Sequence, residues 1–370
     1  MTDIETRAEP LLGLMLGDCT GIGAEQCARV LADRRLADAA RLLVVGDARV
    51  LEQGARDAGV KVAWRSYAAP EDVDWSRTEV PIIDLGNLDP STLPRGAVSA
   101  ESGSRSLDLD LDIRVIGTER LGDQLRDLDV DRRIPHDLAF LGGRRQHRGR
   151  RFLAGGWRFN DEHQMFAHLT GHQGYFGEMN VLDNLWMSRV TSHVSLRTAL
   201  DQITPDRIDE AITLADRTMR GAGFDEPRIA VAALNPHGGE NGLFGREEIE
   251  IIAPAVARAA ERGIRCRGPF PSDTVFLKAF AGDYDGVLTM YHDQGQIATK
   301  LKGFNRGVTV TGGLRTVFTT PAHGTAFDIV GKGVATTGAL EQAVRLCARL
   351  ASGRKHKASL AHAGTAASIP

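Results

Sequence analysis

Short apolar runs alternate with stretches of helical spacing along the first part of the chain, the signature of a βαβ sheet. Leu11–Leu16 predicts a buried strand running into Gly17-Asp18-Cys19-Thr20-Gly21-Ile22-Gly23, and Ala24–Leu36 the helix after it. Ala40–Val45 predicts a second strand, Ala48–Ala58 a helix, and Val60–Trp64 and Val80–Leu85 extended segments. Pro90 and Pro94 mark Asn87–Ala97 as a crossing between lobes. Further on, Asp183–Val190 predicts a strand leading to Thr191-Ser192-His193, and Pro205–Arg220 a helix. Arg228–Leu234 predicts a strand ending in Asn235-Pro236-His237-Gly238-Gly239-Glu240, followed by a helix that begins between Arg246 and Pro254 and runs to Arg262. Pro254 fits its first turn, where a missing N–H costs nothing. Asp285–Met290 predicts a buried strand ending in Tyr291-His292-Asp293-Gln294-Gly295. Gly338–Ala351 closes the fold as an amphipathic helix, and Ser352–Pro370 reads as a loose polar tail.

The stretch Gly103–Arg151 breaks this pattern. It opens on Leu-Asp alternation, Ser106-Leu107-Asp108-Leu109-Asp110-Leu111-Asp112, compatible with an edge strand with Asp outward. It ends in the basic cluster Arg144-Arg145-Gln146-His147-Arg148-Gly149-Arg150-Arg151, which reads as loop.

Composition narrows the class. A chain of 370 residues, 42% hydrophobic and 25% charged with a net charge of −3, buries enough apolar surface to fold, and its length favours two lobes. The longest aliphatic runs fall short of a membrane span, and Met1–Pro10 has no apolar core of a secretory signal. Cys19, Cys27, Cys266 and Cys347 lack CxxC spacing, which points to a reducing, cytoplasmic setting. No aromatic residue interleaves the basic cluster, so a nucleic-acid partner is not expected.

His193, His237 and His292 each follow a predicted strand. Strand carboxyl ends are where open α/β sheets bind ligands, so these imidazoles could converge on one catalytic divalent metal. The alternative is that each only hydrogen-bonds within its own loop. Gly17–Gly23 offers either an anion site at a helix start or simply a tight turn. Pro321–Gly333 is more distinctive: its small residues admit a flat or phosphorylated ligand, Asp328 can accept from ribose or adenine donors, and Lys332 can offset phosphate charge.

Together, Gly17–Gly23, Leu234-Asn235-Pro236-His237, Phe244-Gly245-Arg246-Glu247-Glu248, Gly268-Pro269 with Asp273-Thr274-Val275-Phe276, Met290–Gly295 and His323–Gly333 resemble the 4-hydroxythreonine-4-phosphate dehydrogenase family of vitamin B6 synthesis. The likeness spans Leu11–Ser102 and Phe152–Ser352. It implies an α/β, isocitrate/isopropylmalate dehydrogenase-like two-lobed fold with parallel and mixed sheets. Residues 1–97 with 307–352 would form the nucleotide-side lobe, 98–306 the lobe with metal, substrate and dimer-interface residues, and 353–370 the tail. It further implies a homodimer with an interface metal held by His193, His237 and His292, the metal being zinc, magnesium, cobalt, manganese or iron. NAD or NADP would accept the hydride at His323, Gly324, Thr325, Asp328 and Lys332, and oxidation of a secondary alcohol would be followed by decarboxylation. His163, Gln164, Lys300, Thr309 and Arg315 are implied around the small-molecule substrate, with Lys300 or Asp293 relaying the proton.

Two departures bear on that substrate. The family pattern expects Asn and Arg where this chain has Thr309 and Phe318, with Arg315 nearby as a substitute guanidinium. A branch of the family that oxidises cis-dihydrodiol carboxylates such as the terephthalate dihydrodiol is similar in lacking that arginine. The expectation therefore leans to a non-phosphorylated substrate, with the 4-hydroxythreonine-4-phosphate activity and an inactive ligand-binding relative as alternatives. Similarity stops at Gly103 and resumes at Phe152 with the length kept, which fits either a diverged segment or a stretch read in a shifted frame.

Overall fold

The computed structural model describes residues 9–97, 139–141, 161–303 and 306–352. They form α/β layers around one sheet of twelve strands in the order β3-β4-β2-β1-β5-β12-β11-β6-β7-β10-β8-β9. In chain order the strands are β1 Leu11–Met15, β2 Arg41–Gly46, β3 Trp64–Tyr67, β4 Val80–Asp84, β5 Ala139–Leu141, β6 Gly177–Leu182, β7 Leu185–Arg189, β8 Ile229–Ala232, β9 Cys266–Phe270, β10 Gly286–Thr289, β11 Val308–Gly312 and β12 Phe318–Pro321.

Two parallel wings meet at an antiparallel centre. β3, β4, β2, β1, β5 and β12 run one way, β12-β11-β6-β7 alternate, and β7, β10, β8 and β9 run the other way. Carboxyl ends of the two wings therefore open on opposite edges of the sheet. The segment Ala139–Leu141 pairs with β1 and β12, inside the wing otherwise built from both ends of the chain. The rest of Gly103–Arg151, and the tail 353–370, lie outside the described residues.

Strands of the wings are apolar runs because helices cover both faces. Leu12, Leu14, Val44 and Ile82 are fully enclosed and pack with α1 (Gly23–Asp33), α2 (Ala48–Ala58) and α9 (Gly338–Ser352) in one core. Truncating a leucine such as Leu14 to Ala would cost about 2–5 kcal/mol in lost contacts and cavity. Asp47 caps α2 by accepting from Arg49 N at 2.9 Å, and Gly59 ends it in the left-handed conformation, as the sequence signals require.

Some boundaries differ from the sequence expectation. The first helix stops at Asp33, where Arg34 turns left-handed, rather than at Leu36. The third strand is Trp64–Tyr67, displaced along the chain from Val60–Trp64, so that it registers with Val80–Ile83. The segment expected as one strand over Asp183–Val190 is the second arm of a hairpin, β6–β7, whose turn places Asp183 at φ 53°. Its first arm was masked in the sequence by Glu178 and Asn180, polar residues in a fully buried strand. The helix around Pro254 is a π-turn over Glu248–Ile252 leading into α6 (Ala253–Glu261), with the proline in the first turn of α6 as expected. The remaining helices are α3 (Glu162–Leu169), α4 (Leu196–Gln202), α5 (Pro205–Gly221), α7 (Val275–Phe280) and α8 (His292–Gly303).

Candidate active site

His193, His237 and His292 do leave the ends of β7, β8 and β10, three strands of one wing. The three exits are stitched together. Thr191 donates through its N–H and its hydroxyl to the Met290 carbonyl, at 3.2 and 2.9 Å. Gln294 accepts from Met290 N at 2.7 Å and donates to the Ala233 carbonyl at 2.8 Å, so the His-Asp-Gln-Gly run joins β10 to β8. Gly295 follows because a Cβ there would press within 3.2 Å of the Thr289 side chain.

The consequence is that the His193 and His292 rings face each other with centroids 5.4 Å apart. Each has its Nδ1 beside a carboxylate oxygen: His193 at 2.6 Å from Asp161, His292 at 2.7 Å from Asp293. A carboxylate takes the Nδ1–H, which leaves the lone pair on Nε2. Burial, then the nearby Arg189 charge, hold His292 below the ordinary histidine range, favouring the neutral ring. Burial pushes the Asp161 carboxyl up, but the His193 bond, the neighbouring His163 and the Gln164 N–H outweigh it and hold it below the usual carboxylate range.

His237 stands apart. It is exposed, with 67% of its side chain accessible, and lies 3.8 Å from Glu240. Its loop, Pro236–Gly242, has six successive residues with positive φ, from His237 at 54° to Gly242 at 97°. Non-glycine residues pay roughly 1–2 kcal/mol each for that conformation, so something must impose it. Glu248 anchors the chain that enters the loop: its buried carboxylate accepts from Leu234 N at 2.8 Å, Asn235 N at 2.7 Å and the Asn235 amide at 3.0 Å. Among the described residues, no group of three or more His, Cys, Asp or Glu is arranged to hold a metal ion.

Beneath the paired histidines lies a buried polar layer, of which sequence reasoning named His163 and Thr309 and missed Glu178, Asn180 and Thr311. Glu178 and Asn180, alternate residues of β6, face Thr311 and Thr309 of β11 in register. Asn180 donates to Thr309 at 3.0 Å, Arg189 donates to Asn180, and the Gln296 amide lies 2.6 Å from Asn180 Oδ1. Glu178 sits 3.4 Å from His163, 3.5 Å from Arg189 and 3.9 Å from His193. The legible signal was polar residues at period two inside apolar strands.

The expected substrate contacts divide accordingly. His163 and Thr309 are buried in this layer, His163 with Nδ1 2.5 Å from the Thr311 hydroxyl. Gln164 is half-buried at the start of α3, its N–H taken by Asp161. Lys300 and Asp293 are exposed on α8, seven residues apart and so on the same side of the helix. Arg315 is exposed, whereas Phe318 is buried and stacks on Phe166 with centroids 4.2 Å apart.

The expected cofactor loop is at the other wing, after β12. It packs on the Gly17–Gly23 turn: Ile22 N donates to the Thr325 carbonyl at 3.2 Å, and a Cβ on Gly21 would come within 3.3 Å of that oxygen. This is the tight-turn reading of Gly17–Gly23; the Ile22 N–H is spent on protein rather than on an anion. Three side chains of α1 hold the loop further. Gln26 donates to His323 Nε2 at 2.9 Å and to the Thr336 carbonyl at 2.6 Å. Arg29 donates to the Gly333 carbonyl at 2.6 Å, and Glu25 accepts from Ala335 N at 3.0 Å. Gly324 is half-buried, Thr325 is buried, and Asp328 and Lys332 are exposed.

The family described as "Pyridoxal phosphate biosynthetic protein PdxA" matches residues 150–347. D-threonate 4-phosphate dehydrogenase of Cupriavidus necator is 40% identical over 346 residues, 93% of this chain and 98% of that protein. The crystal structure of 4-hydroxythreonine-4-phosphate dehydrogenase from Klebsiella pneumoniae superposes with a TM-score of 0.72 at 34% identity, covering 92% of this chain and 99% of that one. A terephthalate 1,2-cis-dihydrodiol dehydrogenase from Burkholderia xenovorans shares the fold, with a TM-score of 0.58 at 23% identity over 93% and 98% of the two chains. With paired strand-end histidines over a buried acid and a family match across more than half its length, the chain belongs to the 4-hydroxythreonine-4-phosphate dehydrogenase family and is an oxidoreductase acting on a CH–OH group.

Proposed function

We propose that this protein oxidises the secondary alcohol of a small 4-phosphorylated hydroxy acid, of the D-threonate 4-phosphate or 4-hydroxythreonine 4-phosphate type. The reaction would use NAD or NADP as hydride acceptor and a divalent metal, with loss of carbon dioxide. The observation that carries the reading is the His193–His292 pair, each ring tied at Nδ1 to a carboxylate with Nε2 left as donor. That donor set fits a divalent metal of the zinc, cobalt, manganese or iron type.

Two imidazoles from one chain leave the third ligand to be supplied. We assign it to His237 of a second copy, which is consistent with its exposure on a loop of successive positive-φ residues. Exposed apolar side chains on the surrounding elements fit the same assembly: Leu196 and Leu200 on α4, Leu243 and Phe244 after the His237 loop, Ile297 and Leu301 on α8.

When bound, the metal supplies Lewis acidity that lowers the pKa of the substrate hydroxyl and stabilises the enolate left by decarboxylation. The chain's own residues supply the rest. Asp161 and Asp293 hold the two imidazoles in one tautomer. Lys300, exposed on the same side of α8 as Asp293, would take the hydroxyl proton as the C–H hydride is lost to a bound nicotinamide. The carbon–carbon bond to the neighbouring carboxylate would then break, its electron pair passing into the enolate as carbon dioxide leaves, and the proton held by Lys300 would be delivered to the carbon that carried the carboxylate. On the nucleotide side, Asp328 accepts from ribose or adenine donors and Lys332 offsets phosphate charge.

The phosphorylated substrate is preferred to the cis-dihydrodiol, reversing the lean drawn from Phe318. The similar proteins at 34–40% identity act, by name, on phosphorylated compounds, whereas the likeness to the dihydrodiol enzyme reaches only the fold. Phe318 is core packing against Phe166, so the anion falls to Arg315, three residues upstream and exposed. The test is a comparison of kcat/KM, read as NADH or NADPH formation with added divalent metal, for D-threonate 4-phosphate, 4-hydroxythreonine 4-phosphate and a cis-dihydrodiol carboxylate. Preference for the dihydrodiol overturns the substrate assignment; no turnover of any of them favours an inactive binding relative.

A further inference from the structure

We infer that Asp161 is a positioning residue that locks the tautomer of His193 and ties that ring to the amino end of α3. This rests on the metal reading above. The carboxylate is used at both oxygens: Oδ1 accepts from Gln164 N at 2.9 Å, capping α3, while Oδ2 lies 2.6 Å from His193 Nδ1. Its partner lies 32 residues further along the chain, so the bond joins two separate segments. One side chain therefore fixes a metal-donor candidate and the helix that bears His163 and Gln164, both implied at the substrate, in a single frame.

The contrast with the second pair shows why Asp161 matters more. Asp293 is the sequence neighbour of His292 and its side chain is 72% accessible, so water competes for that bond. The Asp161 side chain is 14% accessible, and a charge-assisted bond in that setting is screened far less. Desolvation of a lone carboxylate there would be costly; the His193 N–H and the helix cap are what make the burial tolerable.

Asp161→Asn separates positioning from folding. An asparagine caps a helix about as well as an aspartate, so the bond to Gln164 N survives. Its amide can present NH2 to His193 Nδ1, which moves the ring proton to Nε2 and removes the donor lone pair. The readout is zinc affinity of the metal-stripped full chain, by competition with a chromophoric chelator, alongside the thermal midpoint. The expected result for Asp161→Asn is a midpoint close to wild type with zinc binding weakened about 10–100-fold, and substantial recovery in Asp161→Glu. His193→Ala should weaken zinc binding at least as much, and adding Asp161→Asn to it should weaken it no further. Unchanged affinity in Asp161→Asn, beside loss in His193→Ala, overturns the positioning role alone. Unchanged affinity in both overturns the metal reading and this inference with it.

Discussion

Removing the acid that anchors the entry to the His237 loop is the sharpest test of how this fold holds that segment in place. Glu248 is buried and accepts two backbone N–H groups and one amide N–H at the exit of β8. Glu248→Ala leaves the Leu234 and Asn235 amides without their acceptor, at about 1–3 kcal/mol each when buried. Both residues are half-buried, so water can reach part of the vacated space, and a total loss of about 2–4 kcal/mol follows. Glu248→Gln keeps one carbonyl acceptor but loses the charge, a loss of about 1–2 kcal/mol. The pH dependence has a definite sign. Although burial pushes the Glu248 carboxyl up, its hydrogen bonds prevail and hold it below the ordinary glutamate value. Its contribution is therefore complete above the unfolded-state pKa and is lost as pH falls through the lower folded-state value. Urea unfolding followed by tryptophan fluorescence should show the difference between wild type and Glu248→Gln shrinking on acidification below the ordinary glutamate range. A Glu248→Ala protein unfolding at the wild-type urea concentration, or a pH-independent difference for Glu248→Gln, would refute the reasoning.

Other outcomes follow from the same geometry. His292→Ala should abolish turnover and weaken zinc binding while the fold persists, since the ring is only partly buried; circular dichroism and metal titration check this. Gln26→Ala removes two of the hydrogen bonds that tie α1 to the segment around His323 and should raise KM for NAD or NADP about 5–10-fold with kcat largely kept, a net loss of about 1 kcal/mol; an unchanged KM would place the dinucleotide elsewhere. All four cysteines are buried, and burial raises the thiols of Cys27 and Cys347 to about 12 and Cys266 to about 11, so a disulfide reagent should leave the native protein unmodified and titrate the thiols only in denaturant. Phe318→Ala should cost about 3–5 kcal/mol by emptying the stack on Phe166, measured by thermal or urea unfolding.

What the sequence determined by itself was local. Apolar runs, helix caps such as Asp47 and Gly59, and the position of His193, His237 and His292 just beyond strands depend on neighbours in the chain and were readable from it. So was the distinctiveness of Pro321–Gly333, though not its attachment, because Gln26, Arg29 and Glu25 reach that loop from about 300 residues away. The tertiary structure alone decided which strands lie side by side. Once β6 and β11 pair in register, Glu178, Asn180, Thr309 and Thr311 cease to be scattered polar residues and become one buried layer. Once β7 and β10 pair, His193 and His292 face each other, and Asp161 reaches a ring that sequence spacing could not assign to it. The conformation of the Pro236–Gly242 loop leaves His237 exposed, and packing turns Phe318 inward onto Phe166, two outcomes that no local pattern in the sequence announced.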